Sequence, residues 1–297
     1  MKYCLGTVQF GLDYGIQKNG QPSLDDVCSM LDFAASHSIT YLDTASAYGN
    51  AEEVIGNFLA SRIGMASKVS VISKLPPNAF EMAQVGQWPG IAKQSALASI
   101  KKMHISILEA YLFHNAAYIF NEDAVNAVSC VKQAGLAKKI GVSVYSPREA
   151  LKALEYNAID VIQIPYNVFD HRLDDCGFFQ QARKRGVEIY ARSSLLQGLA
   201  VMDPDSLPPH VTFASAYLRK FHEICKKYHI PPLNAAVGYV GLHKGIDFVV
   251  FGVDNIRQLS EYTAIKAQEI PAGLLAEIGA AFQKTEEKLV NPALWGK

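Results

Sequence analysis

The chain has 297 residues, of which 49% are hydrophobic and 19% are charged, and its 28 basic side chains balance its 28 acidic ones. This length fits either two domains or one large α/β barrel with a sizeable core. A net charge of zero gives no global field that would attract nucleic acid or an anionic membrane, so the composition favours a small-molecule partner.

The opening residues and the cysteines indicate the compartment. No basic segment followed by a long apolar run opens the chain, and the longest apolar runs, such as residues 248–253, have the length of a strand. The five cysteines are scattered and never form a Cys-x-x-Cys pair. We therefore expect no disulfide and no metal site, and we predict a cytoplasmic protein that neither crosses a membrane nor is secreted.

Short runs rich in β-branched residues alternate with helical patterns along the chain. The predicted strands are residues 3–6, 39–43, 69–74, 107–113, 138–143, 158–164, 187–191 and 246–251. The first of these runs is weak by itself, but it completes the eight strands that a closed barrel requires.

Helix-start signals separate these strands. Ser23 is a predicted N-cap for residues 24–37, Asn50 begins a predicted capping box for a helix through residue 59, and Ser146 precedes a proline at the first helical position. Further helices are predicted at residues 93–103, 122–134, 172–185, 212–229, 232–243, 255–265 and 273–287. The alternation predicts one (β/α)₈ TIM barrel domain over residues 1–297, with extra helices and long loops at its C-terminal face.

Two segments are too long to be simple turns between a strand and a helix. Residues 75–91 contain three prolines, and residues 193–211 end in Pro-Pro-His-Val. Loops at the carboxyl ends of barrel strands build the active site, so we expect both segments to form walls or lids.

Polar residues end consecutive predicted strands. Asp43, Lys74 and His114 follow three neighbouring runs, and Tyr48 lies in the turn after Asp43. Because the carboxyl ends of all barrel strands open into one pocket, these four side chains are expected to meet there.

This combination favours a proton donor. A free phenol has a pKa of about 10, so it holds its proton tightly at neutral pH. An ammonium group beside it stabilises the phenolate, a carboxylate keeps that ammonium charged and oriented, and an imidazole can polarise a carbonyl oxygen. We therefore interpret Tyr48, Lys74, Asp43 and His114 as one catalytic unit.

In these motifs the sequence resembles the aldo-keto reductase family. The resemblance covers nearly the whole chain and is carried by Leu5-Gly6-Thr7, Tyr41-Leu42-Asp43-Thr44-Ala45, Tyr48-Gly49, Ser73-Lys74, Leu112-Phe113-His114, Gly141-Val142-Ser143, Gln163 to Asn167 and Arg192 to Gly198. It implies NAD(P)H-dependent reduction of an aldehyde or ketone to an alcohol by hydride transfer, with Tyr48 as general acid.

The resemblance also implies an extended cofactor across the barrel mouth. Ser143 and Gln163 would hold the nicotinamide carboxamide, Ser193 and Leu195 would lie near the pyrophosphate, and Glu261 would contact the adenine. The full set of expected cofactor contacts is Gly6, Thr7, Ser143, Gln163, Arg192, Ser193, Leu195, Gln197, Gly252, Asp254, Gln258, Glu261 and Tyr262.

The sequence departs from the family pattern at several positions. Arg192 stands where an aromatic residue often stacks on the nicotinamide, and Val144 stands where asparagine is common. Residues 252–258 lack the lysine and serine that often hold a 2′-phosphate, and Asp254 would repel one, although Arg257 offers a charge. We expect NADP(H) rather than NAD(H), a preference these residues do not fix. The family's N-terminal hairpin is also expected to be missing, which leaves the packing of the barrel floor open.

The substrate is harder to predict. Phe10, Tyr14, Trp88, Asn115 and Trp295 are candidate substrate contacts, and we expect a small carbonyl compound. The stretch from Arg192 to Gly198 resembles family members associated with sugar metabolism, which makes a sugar-like substrate a working hypothesis. The sequence predicts no oligomeric state.

Two alternative functions stay open at this point. Lys74 at a strand end is also compatible with a Schiff-base aldolase, since such enzymes use a lysine nucleophile in a barrel. A catalytically weak subunit that binds the cofactor and regulates a partner is the other alternative, although the retention of all four catalytic residue types disfavours it.

Overall fold

The computed structural model describes residues 1–17 and 20–296. Within them, parallel strands form a closed barrel in which each strand pairs with the next and β8 pairs with β1. The strands are β1 (Tyr3–Gly6), β2 (Tyr41–Asp43), β3 (Ser70–Leu75), β4 (Leu108–Phe113), β5 (Ala137–Ser143), β6 (Val161–Pro165), β7 (Glu188–Arg192) and β8 (Phe248–Gly252). The predicted eight-stranded (β/α)₈ barrel is therefore confirmed.

Helices surround the barrel and extend beyond it. They are α1 (Val8–Gly11), α2 (Leu24–Ser36), α3 (Ala51–Ser61), α4 (Trp88–Lys102), α5 (Glu122–Gln133), α6 (Pro147–Ala153), α7 (Phe178–Arg185), α8 (Ser215–Lys227), α9 (Pro232–Gly241), α10 (Ile256–Thr263), α11 (Ala272–Ala281) and α12 (Glu287–Val290). Short 3₁₀ segments lie at Val85–Gln87, Ala116–Phe120, Leu199–Val201, Pro209–Ala214, Ala267–Glu269 and Pro292–Leu294. Across the described residues, every helix is too short or too polar to traverse a bilayer.

Two of the three predicted helix caps are confirmed. The side chain of Ser23 accepts a hydrogen bond from a backbone N–H of the first turn of α2, and Ser146 forms the predicted capping box with Glu149. The prediction of a capping box at Asn50 is wrong, because the Asn50 side chain makes no cap hydrogen bond. Its Oδ1 instead accepts a hydrogen bond of 2.9 Å from Nε2 of Gln21.

Several helix boundaries differ from the prediction for local reasons. α7 starts six residues later than expected because Gly177 has a φ of +74°, a left-handed conformation that precedes the helix. Residues 209–214 form a 3₁₀ segment before α8, and α11 ends at residue 281, six residues before the predicted end of the last helix. α4 begins at Trp88, with Pro89 in its first turn, so the preceding loop is shorter than predicted.

The amino-terminal end of the barrel is filled by aromatic rings and ion pairs. The rings of Tyr190 and Phe248 stack with centroids 4.4 Å apart, and the Tyr41 ring centroid lies 4.5 Å from that of Phe248. Nζ of Lys139 pairs at 2.8 Å with Glu188 beside them. These side chains close the barrel floor whose packing the sequence left open.

Candidate active site

A cavity of about 780 Å³ opens at the carboxyl ends of the strands. Its walls come from residues that end or follow β1, β2, β4, β5, β7 and β8, and from Gln163 within β6. The structure brings all of the expected cofactor contacts to this cavity: Gly6, Thr7, Ser143, Gln163, Arg192, Ser193, Leu195, Gln197, Gly252, Asp254, Gln258, Glu261 and Tyr262. We use the name lysine end for the part of the cavity lined by Asp43, Tyr48, His114, Gln163 and Arg192, together with the buried Lys74 behind it, and the name α10 end for the part lined by Asp254, Gln258, Glu261 and Tyr262.

Asp43 and Lys74 form a buried ion pair at the lysine end. Asp43 pairs with Ile72 in the sheet register, and Lys74 lies two residues beyond Ile72, so both side chains point into the barrel. Nζ of Lys74 lies 2.9 Å from each carboxylate oxygen of Asp43 and 2.7 Å from the carbonyl oxygen of Thr44. Burial alone lowers the pKa of Lys74, but Asp43 and Tyr48 together raise it above its usual value. The lysine is therefore a fixed positive charge.

Tyr48 lines the cavity and separates it from Lys74. Lys74 is fully buried, and its Nζ lies 3.5 Å from the phenolic oxygen of Tyr48 and 4.9 Å from the ring centroid. Burial raises the pKa of Tyr48 more than the nearby Lys74 lowers it. The phenol therefore keeps its proton at neutral pH in the protein alone, and Lys74 is placed to stabilise the phenolate once that proton leaves.

The turn that holds Tyr48 depends on a close backbone approach. Gly49 has a φ of +56°, and a Cβ atom built on it would lie 2.1 Å from the carbonyl oxygen of Gly11. Both the left-handed conformation and the lack of space require glycine here. The Tyr48-Gly49 pair therefore fixes where the phenol enters the cavity.

A hydrogen-bond chain links Asp43 to the opposite wall of the barrel. Nε2 of Gln163 donates to Asp43 over 2.8 Å, and the hydroxyl of Ser143 donates to Oε1 of Gln163 over 2.9 Å. Nε of Arg192 in turn donates to the Ser143 hydroxyl over 3.3 Å. Gln163, Ser143 and Arg192 come from three different strands, and Gln163 and Ser143 are buried. This series of hydrogen bonds therefore holds the Asp43 carboxylate in one orientation.

His114 completes the lysine end. Its ring packs edge-on against Tyr48 with centroids 5.6 Å apart. Burial, together with the nearby positive charges of Lys74 and Arg192, lowers the pKa of His114 to about 4. Nδ1 of this imidazole is buried without a hydrogen-bond partner among the described residues. A neutral imidazole with unused hydrogen-bonding capacity can orient a carbonyl oxygen beside Tyr48.

The α10 end is built from short local contacts. The backbone N–H of Asp254 donates to Oε1 of Gln258 over 2.8 Å, and the Asn255 side chain caps α10. Nε of Arg257 donates to Glu261 over 3.2 Å, and the Arg257 side chain is 88% exposed. The only basic side chain predicted for a 2′-phosphate is thus solvated and already paired with an acidic one.

The two long segments behave differently. Residues from 193–211 line the cavity as predicted, and Ser193, Leu196 and Gln197 adopt positive φ angles of 64°, 51° and 57°. Nε2 of Gln197 also donates to the hydroxyl of Tyr14 over 3.2 Å, which joins two walls of the mouth. No described residue of the other segment, 75–91, lines the cavity, so its predicted role as a wall is wrong.

Most of the expected substrate contacts lie elsewhere, and only Tyr14 lines the cavity. Phe10 and Trp295 are buried in the hydrophobic core. Trp88 stacks on a neighbouring phenylalanine at the start of α4. The Asn115 side chain caps a 3₁₀ segment. Aromatic composition alone did not separate core packing from the cavity wall.

The structure adds cavity residues that the sequence analysis missed, among them Gln9, Tyr145 and Met202. Tyr145 lies two residues after Ser143, so its position beyond a barrel strand was a usable signal. Gln9 follows Thr7 in the same way. Met202 lies within a long loop, where residue type gives no such indication.

The cavity residues fit a nicotinamide dinucleotide. Oε1 of Gln9 and Nδ1 of His114 are buried and lack partners among the described residues, as expected of groups that meet a bound molecule. A Cβ atom at Gly252 would lie 2.5 Å from the Gln9 side chain, so glycine at this position lets Gln9 lie against the end of β8. Ser143 and Gln163 offer the hydroxyl and amide groups that a carboxamide requires.

Comparisons with known proteins point to one family in sequence and one fold in structure. The sequence model of the Aldo/keto reductase family matches residues 2–281. An aldo-keto reductase of Strobilurus tenacellus is 25% identical over 260 residues, which cover 80% of this chain and 75% of that protein. The NADH-specific methylglyoxal reductase of Escherichia coli is 19% identical over 278 residues, covering 83% and 85%. The holo form of an aldo-keto reductase from Bacillus halodurans has the same fold, with a TM-score of 0.75 at 19% identity and coverage of 98% and 95%.

Proposed function

The chain belongs to the aldo-keto reductase family of oxidoreductases that act on carbonyl compounds, and we propose that it reduces an aldehyde or ketone to an alcohol with NAD(P)H. The observation that carries this proposal is the buried contact of Lys74 with both oxygens of Asp43 at 2.9 Å and with the Tyr48 hydroxyl at 3.5 Å. This arrangement supplies a proton donor whose conjugate base is stabilised.

The protein's own groups manage the proton. Bound NAD(P)H would supply the hydride that reduces the carbonyl carbon. Tyr48 gives its phenolic proton to the carbonyl oxygen, and the Lys74 ammonium group stabilises the phenolate that remains. Asp43 keeps Lys74 charged and aimed, while neutral His114 donates a hydrogen bond that orients the carbonyl oxygen.

The cofactor contacts extend along the cavity. Ser143 and Gln163 would hold the carboxamide, and Ser193 and Leu195 would contact the pyrophosphate. The backbone N–H groups at the start of α10 would face the adenosine part beside Glu261. This assignment rests on the family resemblance together with the position of these side chains in the lining of one cavity.

The cofactor preference is a separate proposal. We retain NADP(H) over NAD(H), and only the family resemblance supports this choice. The acidic Asp254 and Glu261 at the α10 end would repel a 2′-phosphate and so favour NAD(H). The related methylglyoxal reductase is NADH-specific by name. The five free thiols fit a reducing compartment, so we propose that the reaction takes place in the cytoplasm.

The geometry disfavours both alternative functions. A Schiff-base mechanism needs an uncharged amine that meets the substrate, whereas Lys74 is fully buried, is bonded to Asp43 and Thr44, and has a raised pKa. A regulatory subunit has no need for the hydrogen-bond chain from Asp43 through Gln163 to Ser143. The sugar-like substrate stays a hypothesis that only the resemblance of residues 192–198 supports.

Cofactor titration followed by a turnover screen tests the proposal. Binding of NADPH and NADH is measured from nicotinamide fluorescence, and the preferred form is then assayed with a panel of aldehydes and ketones. We expect saturable binding and carbonyl-dependent oxidation of the reduced cofactor. Tight cofactor binding with no turnover of any carbonyl would instead favour the regulatory subunit.

A further inference from the structure

The proton donor and its lysine lie on different elements of the fold. Lys74 lies in β3, whereas Tyr48 lies in the turn formed by residues 45–50, which we call the Tyr48 turn. The register between β2 and β3 ends at Asp43 and Ile72, before this turn begins. The placement of the Tyr48 turn against β3 therefore determines how far the phenol lies from the lysine.

Ser46 makes the first contact between the Tyr48 turn and β3. Its hydroxyl donates to the backbone carbonyl oxygen of Lys74 over 3.1 Å. Nζ of Lys74 in turn donates to the carbonyl oxygen of Thr44 over 2.7 Å. Both the backbone and the side chain of Lys74 are thus bonded to residues that come shortly before Tyr48 in the chain.

Glu52 makes the second contact, on the other side of Tyr48. It lies in the first turn of α3, and its side chain is 2% exposed. Its Oε1 accepts a hydrogen bond of 2.7 Å from the hydroxyl of the fully buried Ser73. Successive side chains of a strand point to opposite faces, so Ser73 faces α3 while Lys74 points into the barrel. The bond therefore holds β3 at the residue next to Lys74.

A carboxylate is an unusual side chain at the position of Glu52. The other buried residues of α3 are apolar or glycine: Ala51, Val54, Ile55, Gly56, Phe58 and Leu59. Burial of a carboxylate is costly unless hydrogen bonds compensate for it. The contact with Nζ of Lys102 is long, at 3.9 Å, and that lysine lies closer to Glu53, at 2.9 Å. The directional bond to Ser73 explains Glu52 better than packing does, because apolar packing has no directional requirement.

The distance that these two contacts control is important for the proposed chemistry. Nζ of Lys74 lies 3.5 Å from the phenolic oxygen of Tyr48, which is near the limit of a hydrogen bond. The stabilisation of a phenolate by an ammonium group decreases as the two charges separate. A small shift of the Tyr48 turn away from β3 would therefore weaken the proton donor.

We propose that Ser46, Glu52 and Ser73 are positioning residues that set the distance between the Tyr48 phenol and the Lys74 ammonium group. The inference rests on the proposed reductase function. None of the three residues lines the cavity, so they act through Tyr48 and Lys74 and not on the substrate.

A kinetic comparison within the same region tests the proposal. Ser73→Ala removes the bond to Glu52, and kcat for reduction of 4-nitrobenzaldehyde should fall by about 10- to 100-fold, because a displacement of about 1 Å can have an effect of this size. KM for the reduced cofactor should change little, because none of the proposed cofactor contacts lies in the Tyr48 turn, α3 or β3. Ile55→Val is the matched control, since it removes one methyl group from the buried face of α3 and leaves both hydrogen bonds.

Variants of the bonding partners assign the effect to the two contacts. Glu52→Ala should match Ser73→Ala, and the double variant should be no slower than either, because both changes break the same bond. Glu52→Gln retains an oxygen that accepts from Ser73, so it should restore most of kcat. Ser46→Ala breaks the independent bond to Lys74 at a half-buried position, which keeps the test available if Ser73→Ala fails to fold.

The pH profile of the reverse reaction distinguishes positioning from a loss of stability. In oxidation of 4-nitrobenzyl alcohol, the Tyr48 phenolate would take the hydroxyl proton while the hydride leaves the carbinol carbon for the oxidised cofactor. Weaker stabilisation by Lys74 raises the pKa of Tyr48, so the rising limb of kcat/KM should move to higher pH in Ser73→Ala. Ile55→Val should keep the wild-type limb, because a loss of stability alone does not change the pKa of the phenol.

Hydrogen exchange tests the proposal without turnover. The backbone N–H of Tyr48 donates to the carbonyl oxygen of Ala45 over 3.0 Å, and its exchange reports on the order of the Tyr48 turn. Faster exchange in Ser73→Ala than in Ile55→Val supports the positioning role even if the wild type reduces no carbonyl. Wild-type exchange in Ser73→Ala, or a wild-type kcat and pH profile in an active Ser73→Ala enzyme, would overturn the inference while leaving the reductase function intact.

Discussion

The lysine end and the α10 end belong to one cavity but are held in opposite ways. At the lysine end, Lys74, Asp43 and Gln163 come from separate strands, are nearly excluded from solvent and are linked by hydrogen bonds of 2.8 to 2.9 Å. At the α10 end, Gln258 and Glu261 bond to residues four positions away on the same short helix or at its start. The difference indicates that the barrel strands hold the proposed catalytic side chains rigidly. The side chains of the α10 end are held only by local, exposed contacts.

The largest expected effect comes from breaking the buried pair. Asp43→Asn leaves the Lys74 charge buried without a counter-charge, which costs about 3–5 kcal/mol of folding free energy. It also releases Lys74 from its position beside Tyr48, so carbonyl reduction should fall by a factor of 100 or more. Denaturant unfolding and steady-state kinetics measure the two effects. A loss below about 1 kcal/mol would mean that the lysine end is no more rigid than the α10 end.

A smaller effect is expected from the turn that carries Tyr48. Gly49→Ala adds the cost of a left-handed alanine, about 1–2 kcal/mol, to the cost of a forced backbone shift at Gly11, about 1–3 kcal/mol. Gly135→Ala is the matched control, because Gly135 has a φ of +71° and nothing within 4 Å of the added Cβ. Unfolding free energies should fall more for Gly49→Ala than for the control. Equal losses would show that the close approach to Gly11 does not constrain Tyr48.

The lowered pKa of His114 predicts a pH dependence of both activity and stability. Because burial holds this pKa at about 4, against an ordinary value of 6.5, the imidazole stays neutral through pH 5 to 8. We expect no loss of kcat/KM attributable to His114 on the acid side until the pH approaches 4.

Stability should follow the same titration. Between pH 6.5 and about 4 the unfolded chain binds the proton that folded His114 does not, so His114 lowers the unfolding free energy as the pH falls through this window. Burial also lowers the pKa of His243, which contributes a slope of the same sign. The unfolding free energy is therefore measured against pH for wild type and for His114→Gln, and its slope should be shallower in the variant. Identical slopes would indicate that His114 is solvated like a residue of the α10 end.

The smallest effect is expected at the α10 end itself. Glu261→Gln breaks the ion pair between Glu261, whose side chain is 45% exposed, and Arg257, whose side chain is 88% exposed. The free energy of unfolding should therefore fall by less than about 1 kcal/mol. Because the substitution also removes a negative charge from the proposed adenosine site, it should raise affinity for NADPH relative to NADH in a fluorescence titration. A loss of stability comparable to that of Asp43→Asn would contradict the contrast between the two ends.

What the sequence could predict follows from the same contrast. Strand residues such as Asp43 and Ser143 line the cavity, and Lys74 lies behind them, because strand periodicity and barrel closure determine where their side chains point. The capping box at Asn50 failed because a distant residue, Gln21, competes for its side chain. Such tertiary competition leaves no trace in local sequence.

Aromatic residues illustrate the limit more clearly. Phe10 and Tyr14 lie four positions apart, yet one is fully buried in the core and the other lines the cavity. Hydrophobicity is the same signal for both roles, so only the three-dimensional packing separates them. The residue types of the α10 end likewise carry no distinctive physical signal, so the family resemblance alone predicts its contacts.

The phenol of Tyr48 is the most direct test of the account. Single-turnover reduction of a carbonyl substrate is measured for wild type and Tyr48→Phe, each saturated with reduced cofactor whose binding is confirmed by fluorescence. The variant should bind the cofactor with wild-type affinity and lose carbonyl reduction by a factor of 100 or more, because the proton donor is gone while the ring is retained. Reduction at the wild-type rate by Tyr48→Phe would contradict the assignment of Tyr48, Lys74 and Asp43 as the proton-donating unit.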